Sequence, residues 1–405
     1  MSWEMTIIGD HCTVTSSKRF HLSERSNSGV PFYCSKEIIQ KNRGEEITDC
    51  DYISEELYLN IAEKFGVPQE NDLLVTTRGT IGVPYLYRRN DRFYFADGNL
   101  TWIKDFKETL LPQFLYYWFR THEGQKKIDA IAKGTAQKAV PIAGIKTLEI
   151  SLPPVDVQRQ IADILTTYDS LIENNQKQIK LLEEAAQRLY KEWFVDLRFP
   201  GHETTPIVDG IPEGWSMCTA GNVIEFNPKT PLKKGCIKQS VPMTALSTSS
   251  MVLNSSEFTM TESNSGAKFR NGDTLLARIT PCLENGKTAF VAGITSEEGA
   301  IGSTEFIVMR AKKINPYMVY LLARTEEFRK TAINSMTGSD GRQRAQVDKI
   351  MQFPYLLAPQ STLEAFSQLV EPIFEQVYLK NSQIAQLSQA RDRLLPKLMS
   401  GEIEV

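Results

Sequence analysis

Two stretches of the sequence place apolar side chains in alternating steps of three and four residues, the pattern of an α-helix that packs along one face. The first stretch covers residues 157–189, and a further set at steps of seven flanks it from Leu165 to Trp193. The second stretch covers residues 366–394. The pattern predicts a first helix over residues 158–194, about 55 Å long at about 1.5 Å per residue, and a second helix near the C-terminal end.

Polar residues interrupt both helical patterns near their middles. Asn175 and Gln178 break the first pattern, and Lys380 and Gln383 stand at the matching positions of the second. In an antiparallel pair of helices these four side chains would form one polar layer, which would fix register and orientation. The alternative is that all four are simply hydrated. Pro372, near the start of the second pattern, predicts a kink or a late start of that helix.

Shorter patterns fill the segments before each helix and are typical of an α+β fold. Apolar or β-branched runs bounded by Gly, Asn and Asp predict short strands. These runs are residues 73–77, 93–95, 101–103, 274–277 and 306–309. Residues 112–120 and 316–324 begin with proline and have a wide apolar face, which predicts two short helices.

The order of these patterns repeats after about 205 residues. Residues 72–78 resemble 273–278, and residues 134–138 resemble 338–344. A stretch rich in Gly and Pro predicts a linker between the two halves. The chain is therefore expected to be a pseudo-two-fold repeat of two similar domains, each followed by a long helix. The predicted boundaries are 1–154 and 155–200 for the first domain and helix, and 201–359, with linker 201–214, and 360–405 for the second.

No constellation of catalytic residues is found in the sequence. The pattern Gly286-Lys287-Thr288 resembles the end of a phosphate-binding loop, but Pro281 occupies the position that requires a glycine. The four histidines are scattered, without metal or triad spacing. No apolar run reaches about 18 residues and the N-terminus lacks a signal-peptide pattern, so we expect a cytoplasmic protein.

Charge restricts how this chain could contact nucleic acid. The net charge of −3 excludes DNA binding by bulk charge, so any such surface must be local. Both halves place Arg, Lys, Gln or Asn at predicted strand ends and loops, where Arg suits guanine, Gln and Asn suit adenine, and Lys suits phosphate. Taken alone, each of these residues is explained as an ordinary surface residue. Their recurrence in both halves favours a DNA-contacting role. The candidates are Arg78, Arg88, Arg89, Arg92, Gln137 and Lys138 in the first half and Arg278, Asn285, Lys287, Arg342, Gln343 and Arg344 in the second.

Five motifs spread over the chain together resemble one known family, the specificity (S) subunits of type I restriction–modification systems. The motifs are residues 72–82, 153–161, 211–215, 272–287 and 393–403. The resemblance covers nearly the whole chain and follows the family's order of domain, helix, domain and helix.

The resemblance implies a non-catalytic subunit whose two target-recognition domains each read one half of a split DNA site. It implies that the two helices pair as an antiparallel coiled coil that sets the gap between the half-sites. It also implies two methyltransferase subunits, which use S-adenosylmethionine to methylate adenine. Restriction would add motor-nuclease subunits, which need ATP and Mg²⁺. No cofactor is expected in this chain.

Two other classes of function remain open from the residues alone. One is a coiled-coil adaptor that does not read DNA, and the duplicated Arg, Gln and Lys loops argue against it. The other is a self-contained nuclease or methyltransferase with an unfamiliar site, and the absence of any catalytic motif argues against it.

Overall fold

The computed structural model of the chain describes residues 3–44, 47, 49–134, 138–233, 235–339 and 341–405. Two compact units make up the chain, and both mix short strands with helices, which confirms the predicted mixed composition. Unit 1 contains Met1–Glu173 and Gln386–Val405, and unit 2 contains Asn174–Ala385. Both unit boundaries fall inside long helices, so the finer division into four segments stays a prediction.

The described residues of unit 1 form nine short strands and five helices ahead of the first long helix. The strands are β1 (Glu4–Ile7), β2 (Thr13–Thr15), β3 (Val30–Tyr33), β4 (Asp51–Ile53), β5 (Leu73–Thr76), β6 (Pro84–Leu86), β7 (Tyr94–Phe95), β8 (Leu100–Lys104) and β9 (Glu149–Leu152). The helices are α1 (Ser35–Asn42), α2 (Glu55–Lys64), α3 (Pro112–Arg120), α4 (His122–Ile131), α5 (Ile142–Lys146) and the long α6 (Val155–Tyr190).

Unit 2 has a similar composition. Its strands are β10 (Ile207–Val208), β11 (Ile211–Pro212), β12 (Ser216–Thr219), β13 (Ile224–Phe226), β14 (Lys238–Val241), β15 (Thr259–Thr261), β16 (Ala267–Phe269), β17 (Thr274–Ala277), β18 (Thr288–Phe290), β19 (Ala300–Gly302), β20 (Phe306–Ala311) and β21 (Pro354–Leu357). Its helices are α7 (Ala220–Val223), α8 (Pro316–Ala323), α9 (Glu326–Asn334), α10 (Val347–Met351) and α11 (Gln360–Ser400), which continues into unit 1.

The strands of the two units pair in corresponding orders. One four-stranded sheet has the order β2-β8-β5-β6 in unit 1 and β13-β20-β17-β18 in unit 2. A second sheet has the order β4-β3-β7 in unit 1 and β15-β14-β19-β16 in unit 2. In unit 1 the first strand, β1, pairs antiparallel with β9, and in unit 2 the third strand, β12, pairs antiparallel with β21; β9 and β21 each precede a long helix. All five strands predicted from the sequence are present.

The central strand of each unit is buried on both faces, which explains its continuous apolar sequence. In β5, Leu73 and Val75 belong to one apolar core, which also contains Phe114 of α3. The intervening Leu74 points to the opposite face and belongs to a second core with Trp102. In unit 2, β17 separates two cores in the same way. Apolar packing on both faces therefore holds the ends of β5 and β17 in place.

The first long helix follows its prediction closely, although its buried face is shifted. Helix α6 spans Val155–Tyr190 and continues in a π-helical turn, Lys191–Val195. The buried side chains include those at steps of seven, among them Leu165, Ile172 and Ile179, and Ile161 of the main predicted stripe is buried as well. Leu171, in the main predicted stripe, is 46% exposed. The buried face of α6 is thus centred on the flanking positions at steps of seven and not on the main predicted stripe. It is centred there because α6 packs against its own domain in addition to packing along its length.

The prediction that Pro372 kinks or delays the second helix is wrong with respect to the start. Helix α11 begins at Gln360, twelve residues earlier, and is helical through Pro372 to Ser400. Pro372 is exposed, so its ring lies on the solvent side. The apolar contacts of the buried Val370 and Phe374 on either side offset the one lost backbone hydrogen bond.

Unit 1 joins the start of α6 to the end of α11 through one carboxylate. Asp169 Oδ2 accepts hydrogen bonds from Arg120 Nη1 and the Tyr117 hydroxyl, both at 2.8 Å, and Oδ1 accepts one from Arg391 Nη1 at 2.6 Å. Burial disfavours the ionised form of Asp169, but the charge of Arg120 and the hydrogen bond from Arg391 outweigh it and lower the Asp169 pKa. The network ties α3, α6 and α11 together.

Replacing Asp169 with alanine should destabilise unit 1 by about 2–4 kcal/mol, because two largely buried guanidinium groups would lose their shared partner. Hydrogen exchange of the α3 amides measures this loss. Because the Asp169 pKa is lowered in the folded chain, its contribution is present at neutral pH and is lost as the pH falls below about 4. Asp163→Ala, an exposed position of the same helix, is the control and should cost under about 0.5 kcal/mol. Equal losses for the two variants would contradict this account.

The predicted polar layer stays a prediction. Asn175, Gln178 and Lys380 are half-buried and Gln383 is exposed. Within the described part of the chain, no hydrogen bond joins these four side chains. Also within the described part, no helix combines the length and apolar character needed to cross a membrane.

Candidate nucleic-acid interface

A short loop of unit 1 is fastened to the carboxyl end of β5. The backbone N–H groups of Lys133 and Ala139 each donate to the carbonyl of the other, at 2.8 and 2.9 Å, and so close the loop 134–138. The next N–H, that of Val140, donates to the carbonyl of Thr77 at 3.0 Å. The backbone on both sides of this loop is therefore held by hydrogen bonds that involve no side chain.

Unit 2 repeats this arrangement at the carboxyl end of β17. Thr337 and Arg344 exchange two backbone hydrogen bonds of 3.1 and 2.9 Å and close the loop 338–343. The N–H of Ala345 donates to the carbonyl of Arg278 at 2.8 Å. The loop pair noticed in the sequence thus has one backbone framework in both units.

Glycine begins both loops for a conformational reason. Gly134 has a φ of 100° and Gly338 a φ of 131°, values that side-chain-bearing residues rarely adopt. A Cβ on Gly338 would also lie 3.1 Å from the carbonyl oxygen of Arg342. Other residues would strain the turn that opens each loop.

The hydrogen bonds also show which residues are equivalent in the two units. Thr77 donates its N–H to the carbonyl of Asn99 at 2.8 Å, and Arg278 donates to that of Glu305 at 2.9 Å. Thr77 and Arg278 therefore occupy the same position. The sequence comparison, which aligned Arg78 with Arg278, is displaced by one residue.

The structure brings the candidate residues of unit 2 together at one end of β17. Arg342 and Asn285 are exposed. Arg278 Nη2 donates to the carbonyl of Ala345 at 3.2 Å, and Lys287 Nζ to that of Met243 at 3.0 Å. The residues gathered at this end are Arg278, Asn285, Lys287, Arg342, Gln343 and Arg344.

The candidate residues of unit 1 fall into two groups. Arg78 and Lys138 are exposed at the carboxyl end of β5, where Lys138 Nζ lies 3.0 Å from Asp129 Oδ1. Gln137 lies outside the described residues.

Arg88, Arg89 and Arg92 belong to the opposite end of the same sheet. Strand β6 runs antiparallel to β5, and after it the N–H of Tyr87 donates to the carbonyl of Asp72, just before β5 begins. The turn with the three arginines therefore lies away from Arg78, and the six candidates of the first half do not form one cluster.

Two of these three arginines have carboxylate partners. Arg88 Nη1 lies 2.7 Å from Glu173 Oε1 on α6, and Arg92 pairs with Glu55. Arg89 is exposed. These arginines face α6 and α2, and their ion pairs reduce the positive charge available to a ligand.

An acidic residue that the sequence analysis did not single out holds Arg344. Its Nε lies 3.0 and 2.9 Å from the two carboxylate oxygens of Glu305, and its Nη2 lies 2.7 Å from Oε1. These hydrogen bonds lower the Glu305 pKa, against a smaller opposing effect of burial. The available sequence signal was an acidic residue directly before the predicted strand 306–309.

The described residues contain no group of three His, Cys, Asp or Glu side chains placed to hold a metal ion. The surface at the two strand ends offers guanidinium, amino and amide groups. Its chemistry suits hydrogen bonding to base edges and to phosphate oxygens.

Comparison with known proteins gives one consistent result. Residues 1–184 match the family described as Type I restriction modification DNA specificity domain. The type I restriction enzyme MjaIX specificity subunit of Methanocaldococcus jannaschii is 26% identical over 308 residues, covering 74% of this chain and 71% of that protein. The type I restriction enzyme EcoAI specificity subunit of Escherichia coli is 32% identical over 171 residues, covering 40% of this chain and 28% of that protein.

A solved structure shares the fold over nearly the whole chain. The crystal structure of a type I restriction-modification system S subunit from M. genitalium has a TM-score of 0.59. The match covers 98% of this chain and 96% of that chain, at 15% sequence identity.

Proposed function

Because the chain belongs to the specificity subunits of type I restriction–modification systems, we propose that each of its two units reads one half of a split DNA site. The observation that supports this proposal is the duplicated loop, fastened by the same backbone hydrogen bonds to the end of a buried strand in both units. Loop ends fixed in this way, next to residues such as Lys138, Arg342 and Gln343, suit base reading, because the donors must be placed within a few tenths of an ångström.

The catalytic steps belong to partner subunits in this proposal. Two methyltransferase subunits methylate adenine with S-adenosylmethionine, and motor-nuclease subunits with ATP and Mg²⁺ add restriction, all in the cytoplasm. A net charge of −3 fits this division, since the partners can supply much of the phosphate contact that DNA affinity requires.

The two long helices act as the spacer between the half-sites. In unit 1 the start of α6 meets the end of α11 at Asp169 and Arg391, and in unit 2 the end of α6 meets the start of α11 at Trp193 and Phe366. Both contacts support an antiparallel pairing of the two helices. The polar residues at the middle of the helices, Asn175, Gln178, Lys380 and Gln383, would set its register.

Apolar side chains left exposed on the helices support docking of the methyltransferase subunits there. Such residues cost little in an assembled complex, because a partner removes them from water. They are Ile164, Leu171, Leu181, Leu369 and Leu379, which are between 36% and 64% exposed.

The test compares the chain, co-purified with its methyltransferase subunit, with its Arg342→Ala variant. We expect the wild-type complex to methylate one split motif and to bind it selectively over random duplex in gel shifts. Arg342→Ala should weaken binding by about 1–3 kcal/mol and relax selectivity in one half-site if Arg342 contacts a base. If it contacts phosphate, affinity should fall equally for all duplexes and the salt dependence should decrease.

Arg159→Ala is the control, because Arg159 is an exposed arginine at the start of α6 that pairs with Asp156 and belongs to neither loop. It should leave affinity and selectivity unchanged. A wild-type complex without sequence selectivity would contradict DNA reading and favour the adaptor function. Turnover by the chain alone would favour an enzyme.

A further inference from the structure

Among the residues that the structure describes, Glu305 is the hydrogen-bonding partner of the Arg344 guanidinium group, and one edge of that group contacts none of them. Arginine has five N–H donors, and Glu305 engages the Nε–H and one N–H of Nη2. Both donors of Nη1 and the second donor of Nη2 make no hydrogen bond to the described part of the chain. These form the end-on edge of the fork, which matches two neighbouring acceptors in one plane.

The exposed fractions of the Arg344 and Glu305 side chains fit a guanidinium group that is positioned to bind a ligand. The Arg344 side chain is 45% exposed, whereas that of Glu305 is 22% exposed. Both positions are fixed by backbone hydrogen bonds, Arg344 to Thr337 and Glu305 to Arg278. Glu305 therefore orients the guanidinium plane from the protein side, and the opposite edge of the group is exposed to solvent.

We propose that Arg344 reads a guanine in the half-site of unit 2 and that Glu305 is the positioning residue that orients its guanidinium plane. This inference rests on the function proposed above. Guanine presents O6 and N7 as adjacent acceptors in the major groove, the geometry of the free edge of Arg344.

The charge of the pair favours a base over a phosphate. A carboxylate already neutralises Arg344, so the pair gains little from binding another anion, and a phosphate would approach Glu305 as a like charge. The base edge of guanine is neutral, and it is recognised through the direction of the hydrogen bonds that it accepts. Holding the fork in advance also lowers the entropy lost on binding.

Unit 1 has no Arg–Glu ion pair at the equivalent positions. Asn99 stands where unit 2 has Glu305, and Ala139 stands where it has Arg344, as the backbone hydrogen bonds of the two units show. The guanine contact is therefore expected in one half-site only.

The experiment uses the full chain with its methyltransferase subunit and duplexes of the methylated motif. Each guanine of the half-site read by unit 2 is replaced in turn by adenine or by 7-deazaguanine, which lacks N7. At one guanine, the wild type should prefer guanine over adenine by about 5- to 140-fold more than the Arg344→Ala variant does. Replacing that guanine by 7-deazaguanine should weaken the wild type and leave Arg344→Ala unaffected.

The role of Glu305 is tested by coupling. Glu305→Gln should lower discrimination at the same guanine several-fold, with no change in the other half-site. In an Arg344→Ala background, Glu305→Gln should have no further effect, which a merely structural role would not produce. The control is Glu326→Gln, which breaks an exposed ion pair with Lys330 on α9 and should leave discrimination unchanged.

Three outcomes would overturn the inference while leaving DNA reading intact. One is a selective wild type whose half-site for unit 2 contains no guanine. Another is unchanged discrimination in both Arg344→Ala and Glu305→Gln. The third is an Arg344→Ala variant that loses affinity equally for all duplexes with a smaller salt dependence, the behaviour of a phosphate contact. A wild type without selectivity would instead overturn the proposed function itself.

Discussion

Exchanging unit 1 for that of a relative should change one half of the methylated DNA motif and leave the other half unchanged. The exchange must follow the contacts of the folded chain. Leu395 and Leu398 near the C-terminus lie in the same apolar core as Phe114 of α3, and Arg391 shares Asp169 with Arg120. Residues 1–173 and 386–405 therefore have to be transferred together.

An exchange of residues 1–154 alone should give a less stable chain, since foreign side chains would face the native helix ends. The reciprocal exchange of unit 2 is the matched control and should change the other half of the motif. Mapping of methylated adenines in cells that express each hybrid with its methyltransferase measures both outcomes. A hybrid in which both halves of the motif change would show that the units do not read DNA independently.

The elements that could be predicted from the sequence are those whose burial is uniform. β5 and β17 are covered on both faces, so they appear as continuous apolar runs, and α3 begins at a proline ahead of a wide apolar face. Strand β3 is as long as β5, but Pro31 interrupts its apolar run and so removes the sequence signal. The buried face of α6 was predicted at the wrong positions because the helix also packs against its own domain. A heptad pattern does not account for those contacts.

The candidate site was predictable in its residue types and less so in its geometry. The loops were recognised because Gly134 and Gly338 mark the same turn. The arginines were aligned one residue apart because each ends a similar run, although the equivalent aspartates, Asp72 and Asp273, both cap the turn before their strand. Glu305 was missed because its relation to Arg344 depends on a contact across 39 residues, which no local pattern shows.

Deleting residues 175–181 together with residues 380–386 should abolish methylation at the original motif and shift the remaining activity to a shorter gap. Each deletion removes one heptad and keeps the apolar seam in phase. Seven residues at about 1.5 Å shorten each helix by about 10 Å. That length is roughly three base pairs at about 3.4 Å each, over which DNA also rotates by roughly 100°.

Either deletion alone should inactivate the complex, because a shortened helix leaves the apolar seam of its partner exposed to water. Insertion of one heptad at both places is the reciprocal control and should lengthen the gap by about three base pairs. The methylated motifs of the single and double variants, mapped in cells, measure the gap directly. Because the rotation of the duplex would turn one half-site away from its unit, the double deletion should also lower the overall rate of methylation. Full activity of the double deletion at an unchanged gap would show that the helices serve as a docking surface for partners and do not set the spacing.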